Sequence, residues 1–212
     1  MMAKRGRFIT FEGGEGTGKS THARRLAQTL EKRGISAIVT REPGGSPGAE
    51  EIRSLLVKGE PGRWDVLTET LMLYAARRDH VERTIKPALA KGQWVICDRF
   101  VDSSYAYQGA GRGLDRETVR RIETIAIDDF KPDFTIVLDL PPEKGLARTA
   151  GRGTAETRFE SFDAGFHARM RKAFLDIARR APERCIVIDA DKDMDDVAAA
   201  IFAAVKGRFK LR

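Results

Sequence analysis

Eight consecutive residues have the types and the spacing that hold a phosphate group in many proteins. They match the pattern G-x-x-x-x-G-K-[ST] and are Gly13, Gly14, Glu15, Gly16, Thr17, Gly18, Lys19 and Ser20. Glycines let backbone N–H groups curl around an anion, the lysine reaches the β- and γ-phosphates, and the serine hydroxyl ligates Mg²⁺. The pattern therefore predicts a nucleoside triphosphate bound by this phosphate-binding loop (P-loop), with Mg²⁺ at Ser20.

The residues on either side of the P-loop form the elements that this chemistry requires. Phe8–Phe11 has the pattern of a short buried strand. After the loop, apolar residues recur at helical spacing and the helix is expected to end at Gly34; they are Ala23, Leu26, Ala27 and Leu30. Because a helix N-terminus adds partial positive charge, the order strand, loop and helix favours phosphate binding over a chance glycine-rich turn.

Further charged residues follow two other apolar runs. Asp98 and Arg99 come directly after Trp94–Cys97, and Arg41 and Glu42 follow a predicted strand at residues 35–40. An acid in this position commonly holds the Mg²⁺ shell of P-loop proteins, and an arginine can clamp a phosphate with two hydrogen bonds. Since parallel strands bring their carboxyl ends to one edge of a sheet, we expect these residues near the P-loop.

Three more segments contribute candidate residues. A long helical region is expected from about Trp64 to Leu89, and because adjacent residues on a helix cannot share a face, one of Arg77 and Arg78 should point inward. Val101–Gly113 is expected to be loop-like, with hydroxyl, aromatic and amide side chains suited to contacting a heterocycle. A segment at about 150–158 combines small residues with arginines and predicts a flap over the site.

Five apolar runs alternate with helical segments, which predicts an α/β fold with a five-stranded parallel sheet and helices on both faces. The runs are Phe8–Phe11, Ile35–Thr40, Trp94–Cys97, Phe134–Leu140 and Cys185–Asp189. The length of 212 residues suits one domain spanning 1–212, with a lid at about 148–160.

Composition excludes several classes of protein. The formal net charge of +7 comes from basic residues in the two tails, 1–7 and 206–212, which favours solvated tails over a nucleic-acid surface. No run reaches the roughly 18 apolar residues of a membrane span, and the N-terminal residues lack the apolar region of a secretory signal. Cys97 and Cys185 lie in apolar runs and are expected to be buried thiols, so a cytoplasmic location is expected.

The choice of reaction lies among a switch, a motor and a transferase. GTPase switches carry an N-K-x-D guanine motif, and this sequence has no asparagine. A motor that acts on nucleic acid is disfavoured, because the chain between the two basic tails has no excess of positive charge. A transferase needs a second anion site and a lid that excludes water, for which Arg41, Arg77, Arg99 and the flap arginines are candidates. A phosphate acceptor needs no strong base, because a phosphomonoester is largely ionised near neutral pH (pKa about 6).

Over residues 7–205 the chain resembles the thymidylate kinases, which phosphorylate dTMP to dTDP with ATP and Mg²⁺. The resemblance is carried by an ordered set of blocks: Phe11–Ser20, Thr40–Gly45, Tyr74–Arg77, Ile85–Leu89, Cys97–Phe100, Tyr105–Gly109, Lys131–Asp133 and Glu160–Phe162. It implies that ATP is the donor, that dTMP is the acceptor and that the chain forms a homodimer, for which the apolar stripe Leu67–Tyr74 is a candidate face.

The resemblance also implies roles for individual residues. Arg99 matches the arginine that holds the acceptor phosphate, and Asp98 the acid near Mg²⁺ and the phosphates. Glu15 matches a contact to the sugar 3′-hydroxyl, and Glu42 an acid that orders the acceptor side. The remaining matches contact thymine or deoxyribose; they are Arg77, Ser104, Tyr107 and Gln108. Leu73 stands where the family usually has a phenylalanine on the base, and we expect it to cover thymine by dispersion.

Catalysis is expected to need an arginine from the lid. In one class of the family an arginine within the P-loop stabilises phosphoryl transfer, but none of Gly14–Thr17 is arginine. The chain therefore resembles the other class, and Arg152, flanked by glycines, is preferred over Arg148 and Arg158. Together with Lys19, Asp98 and Arg99 these are the candidate catalytic residues. The alternatives are another nucleoside or nucleotide kinase and a non-catalytic nucleotide-gated binding protein.

Overall fold

A parallel sheet forms the centre of the protein in this computed structural model, which describes residues 5–60, 62–150 and 158–211. Its five strands are β1 (Phe8–Glu12), β2 (Ala37–Arg41), β3 (Trp94–Asp98), β4 (Phe134–Asp139) and β5 (Cys185–Asp189). They lie in the order β2-β3-β1-β4-β5, and every pairing is parallel. The predicted sheet is confirmed.

Helices connect successive strands. They are α1 (Lys19–Glu31), α2 (Pro47–Leu56), α3 (Val66–His80), α4 (Lys86–Ala90), α5 (Val101–Ser104), α6 (Arg116–Ile127), α7 (Pro142–Thr149), α8 (Ala164–Arg180) and α9 (Met194–Phe209). Two wider, π-helical stretches, Val81–Ile85 and Tyr105–Gly111, extend α3 and α5. No helix in the described ranges is both long and apolar enough to cross a membrane.

Alternate residues of the strands bury opposite faces of the sheet. Ile9 packs in a core cluster with residues of α1 and α9, whereas its neighbour Phe8 packs with Val81, Ile85 and Ile127 on the other side. Side chains in a strand point alternately to its two faces, so the sheet is covered by helices on both sides, as predicted. Cys97 and Cys185 are free and buried, which confirms their prediction as structural thiols.

The helical region predicted at about residues 64–89 is confirmed, and it consists of three consecutive segments. The helix begins at Val66, where the Asp65 carboxylate accepts the backbone N–H groups of Leu67 and Thr68. Its regular part ends at His80, and a π-helical turn leads into α4. Pro87 has no N–H to donate to the preceding turn and its ring needs space there. The wider turn before Pro87 provides that space without ending the helix.

The loop-like structure expected for Val101–Gly113 is wrong, because most of this segment is helical. The cause is a cap that comes from far away in sequence. Glu12, at the end of β1, accepts the Phe100 N–H at 2.8 Å and the Ser103 hydroxyl at 2.6 Å. Satisfying the donors at a helix start stabilises the helix, and no local pattern announces a cap supplied by another strand.

Candidate active site

The P-loop runs from the end of β1 to the start of α1 in backbone conformations that favour glycine. Gly13, Gly16 and Gly18 have φ values of 130°, 68° and 87°. A Cβ on Gly13 would lie 2.3 Å from the Leu138 carbonyl oxygen, and one on Gly16 would lie 2.0 Å from that of Gly145. Side chains are therefore excluded at both positions, where the loop packs directly against the backbone of β4 and α7.

Lys19 reaches back across the loop and is nearly buried. Its Nζ donates to the Gly14 carbonyl at 2.5 Å and lies 3.3 Å from the Thr17 hydroxyl. Burial, and then the charge of Arg99, lower the pKa of Lys19 to about 8, although Glu15 and Asp98 oppose the shift. The lysine is thus fixed beside the loop as a cation near neutral pH.

Ser20 and Asp98 lie together, as predicted for a Mg²⁺ site. The Ser20 hydroxyl donates to Asp98 Oδ2, while Asp98 Oδ1 is buried and has no hydrogen-bond partner. Within the described ranges no cluster of three or more His, Cys, Asp or Glu residues offers an all-protein metal site. A hydroxyl and one unsatisfied carboxylate oxygen suit Mg²⁺, which usually takes one or two protein ligands together with phosphate oxygens and waters.

Arg99 joins the P-loop to the rest of the site. Its Nη2 contacts both carboxylate oxygens of Glu15 at 3.1 and 3.0 Å, and its guanidinium lies 4.8 Å from the centre of the Tyr107 ring. The Tyr107 hydroxyl donates to the same carboxylate at 2.6 Å. Burial raises the pKa of Glu15, but Arg99 and Lys19 outweigh it and bring that pKa down to about 2. Glu15 is therefore a carboxylate at neutral pH.

The backbone of Arg99 is in the left-handed region, with φ of 71°, directly after β3. Its N–H donates to the Phe11 carbonyl at 2.9 Å, which ties this strained residue to β1. Strained backbone outside glycine persists where the surroundings hold it, and such residues cluster at functional sites. The strain turns the guanidinium toward the P-loop, where Nη1 donates to the Gly13 carbonyl at 3.0 Å.

Arg77 points inward and Arg78 is exposed, which confirms the prediction from their adjacency. Arg77 donates to Glu42 Oε2 at 2.6 Å and to the Ser104 hydroxyl at 3.0 Å. His80 Nδ1 lies 3.0 Å from the other oxygen of Glu42. Burial opposes the charge of Arg77, but Glu42 outweighs it and raises the pKa of Arg77. These contacts hold a cation rigidly beside the cavity.

One cavity of about 540 Å³ joins the two halves of the site. Most of the predicted substrate-binding residues line it: Glu15, Gly16, Gly18, Lys19, Ser20, Glu42, Leu73, Arg77, Asp98, Arg99, Ser104, Tyr107 and Gln108. Its volume is typical of small-molecule sites. The P-loop lies at one end and the Leu73, Arg77 and Gln108 side chains at the other, so a donor and an acceptor can meet between them.

Two of the predicted lid arginines, Arg148 and Arg158, do not line this cavity. Arg148 donates to the Ala190 carbonyl at 3.0 Å, and Arg158 is 1% exposed and lies 2.5 Å from Glu69. Arg152 falls outside the described residues. The assignment of a catalytic lid arginine therefore stays a prediction.

Sequence reasoning missed several residues of the site. Phe159 lines the cavity and packs edge-on against Tyr107, with ring centres 5.7 Å apart. In the sequence, the only indication that Phe159 belongs to the site is its aromatic type between Arg158 and Glu160. Glu12 and His80 act on site residues from beneath the cavity, at the end of β1 and on α3. Their roles depend on contacts between residues of different elements, and spacing along the chain does not reveal such contacts.

The site combines a P-loop, an acidic residue on the neighbouring strand and arginines at the other side of the same cavity. This combination defines a P-loop phosphotransferase. The thymidylate kinase family model matches residues 11–201. The chain is 55% identical to the thymidylate kinase of Caulobacter vibrioides, covering 97% of this chain and 99% of that protein, and 52% identical to that of Ruegeria pomeroyi, covering 94% of each. The crystal structure of thymidylate kinase from Ehrlichia chaffeensis superposes with a TM-score of 0.77 at 35% identity, covering 95% of this chain and 99% of that one. The chain belongs to the thymidylate kinase family.

Proposed function

We propose that the protein transfers the γ-phosphoryl group of ATP to dTMP, giving ADP and dTDP. The observation that carries the proposal is a single cavity in which the P-loop lysine Lys19 and the arginines Arg77 and Arg99 face one space. The test is a panel of monophosphates with ATP and Mg²⁺, in which ADP formation is measured with dTMP, dUMP, AMP and GMP. We expect the highest kcat/KM with dTMP; a higher value with a purine monophosphate would reject the acceptor assignment.

On the donor side, the P-loop amides and Lys19 bind the phosphates of ATP. We propose that Ser20 and Asp98 hold Mg²⁺, directly or through water, because the Ser20 hydroxyl contacts Asp98 Oδ2 while Oδ1 of the same carboxylate has no hydrogen-bond partner. When bound, the ion neutralises charge on the β- and γ-phosphates. Lys19 supplies further positive charge where negative charge spreads over the transferring oxygens.

On the acceptor side, Arg99 binds the dTMP phosphate with its planar donor groups. Glu15 and Tyr107, which contact Arg99 and each other, orient the sugar. Arg77 and Gln108 supply hydrogen bonds to the base, and Leu73 and Phe159 supply apolar surface. The acceptor phosphate is ionised near neutral pH, so its oxygen attacks without a protein base.

We also propose a homodimer formed through α3 and α6. Leu67 and Leu71 on α3 are 43% and 51% exposed, and Ile125 on α6, a helix packed against α3, is 85% exposed. Burying large apolar side chains is the main driving force of such association. The two buried free thiols suit a reducing compartment, so a cytoplasmic location is proposed.

A further inference from the structure

A buried carboxylate, Glu69, lies behind the base-binding end of the cavity. It is on α3 and is fully buried. Gln108 Nε2 donates to Glu69 Oε1 at 2.8 Å. Arg158 Nη2 lies 2.5 Å from Oε2 and Arg112 Nη1 lies 2.8 Å from it. Both contacts are ion pairs whose geometry is not that of a well-aligned hydrogen bond. One carboxylate thus joins a cavity residue to two arginines.

The two arginines hold Glu69 in place. Arg158 also donates to the carbonyl groups of Leu56 and Glu60, at 3.1 and 3.2 Å, and Arg112 donates to that of Trp64 at 2.9 Å. A buried charge requires such compensation, and anchored guanidinium groups leave the carboxylate little freedom to move. Glu69 is therefore a fixed hydrogen-bond acceptor.

A fixed carboxylate determines which way the Gln108 amide faces. A side-chain amide has a donor end and an acceptor end, and an ionised carboxylate has no proton to donate. Only the Nε2 end can therefore meet Glu69. The amide is planar, so Oε1 is directed away from Glu69, and Gln108 borders the cavity beside Leu73 and Arg77.

We propose that Glu69 is a positioning residue that sets the base selectivity of the site through Gln108. By fixing the amide, it presents Oε1 to a ring N–H, which a 4-oxopyrimidine such as thymine carries at N3. A 4-aminopyrimidine such as cytosine has an unprotonated nitrogen there, which would face the amide oxygen without a hydrogen bond. A site built to bond one group rejects an analogue that lacks it, because buried polar groups are left unpaired. The inference rests on dTMP being the acceptor.

The experiment compares kcat/KM for dTMP and dCMP in the wild type, E69Q, Q108L and the double variant. A glutamine at position 69 offers both a donor and an acceptor, so the Gln108 amide can turn over. We expect the dTMP/dCMP ratio to fall at least about tenfold in E69Q, with KM for ATP changed less than about twofold. If Glu69 acts through Gln108, adding E69Q to Q108L should change the ratio no further.

Controls separate positioning from a general loss of structure. Glu123→Gln alters another buried glutamate, on α6 and outside the cavity lining, and should keep the wild-type ratio. If E69Q does not fold, Glu69→Asp keeps the negative charge but shortens the side chain by one methylene, which withdraws the carboxylate from Gln108, and the same fall is expected. An unchanged ratio in the folded variant, or additive effects in the double variant, would overturn the inference. A wild type without dTMP turnover would reject the proposed function instead.

Discussion

Lys19 is the residue whose charge state we expect to control phosphate binding most directly. It is buried against the loop that it closes, and burial, followed by Arg99, brings its pKa down to about 8. Only the protonated form attracts a phosphate, and that form is populated below the pKa. We therefore expect activity to depend on pH in a range where an ordinary lysine would stay charged.

We predict that kcat/KM for ATP is level between about pH 7 and about pH 8 and falls about tenfold per pH unit above that range, because the free enzyme then loses the Lys19 proton. The measurement is a pH–rate profile of ADP formation with dTMP saturating. Lys19→Arg is the control, since a guanidinium keeps its charge and should give a profile without this fall, whatever its absolute rate. A level wild-type profile to about pH 10 would contradict the prediction.

Among the elements, α5 depends on a residue outside it. Glu12 caps the start of α5 from β1, and its carboxyl group is completely buried. Burial, and then the charge of Asp102, raise the pKa of Glu12 from 4.5 to about 8. The folded state therefore keeps a proton that the unfolded state releases at lower pH.

We predict that the free energy of unfolding falls as pH rises from about 4.5 to about 8, relative to that of Glu12→Gln. The sign follows because the unfolded chain binds fewer protons than the folded one within this window. Glutamine keeps an acceptor for the helix start but does not titrate. Urea unfolding of both proteins at several pH values measures the difference, and a difference that does not vary with pH would refute the prediction.

The lid is the element that should complete catalysis. We predict that Arg152→Ala lowers kcat by about 10³-fold or more while KM for dTMP changes little, since an arginine finger acts mainly on the transition state. Arg148→Ala is the matched control, because Arg148 bonds the Ala190 carbonyl in the structure. Steady-state kinetics of both variants show which arginine acts in catalysis. A loss of kcat in the Arg148 variant alone would assign the catalytic role to Arg148 instead of Arg152.

At the scale of the whole molecule, the exposed apolar face of α3 and α6 should join two copies. We predict that Leu71→Glu gives a monomer in sedimentation velocity at micromolar concentration, whereas the wild type sediments as a dimer. Met194→Glu, an exposed apolar position at the start of α9, should leave the dimer intact. A monomeric wild type, or a dimeric Leu71 variant, would exclude this face as the interface.

Much of the fold could be predicted from patterns among residues that are close together in the sequence. The five strands and the P-loop depend on apolar periodicity and on adjacent glycines, which local backbone geometry translates directly into structure. Helix geometry alone predicted that one of Arg77 and Arg78 points inward, and the structure shows that it is Arg77. Val101–Gly113 was wrongly expected to be loop-like because Glu12 supplies its cap from another strand. Phe159 was missed because its contact with Tyr107 forms only in the folded chain.

The sequence by itself predicted the phosphate-binding loop, since its residues lie in one stretch, Gly13–Ser20, whose glycines allow the conformation, whereas Asp98 joins Ser20 only in the folded sheet. Tertiary structure alone decided which acids meet which arginines: Glu15 with Arg99, Glu42 with Arg77, and Glu69 with Arg158. An ion pair depends on the distance between two groups in space and on their burial, and spacing along the chain constrains neither across separate elements. The selectivity of the acceptor half is therefore a property of the folded sheet and its helices.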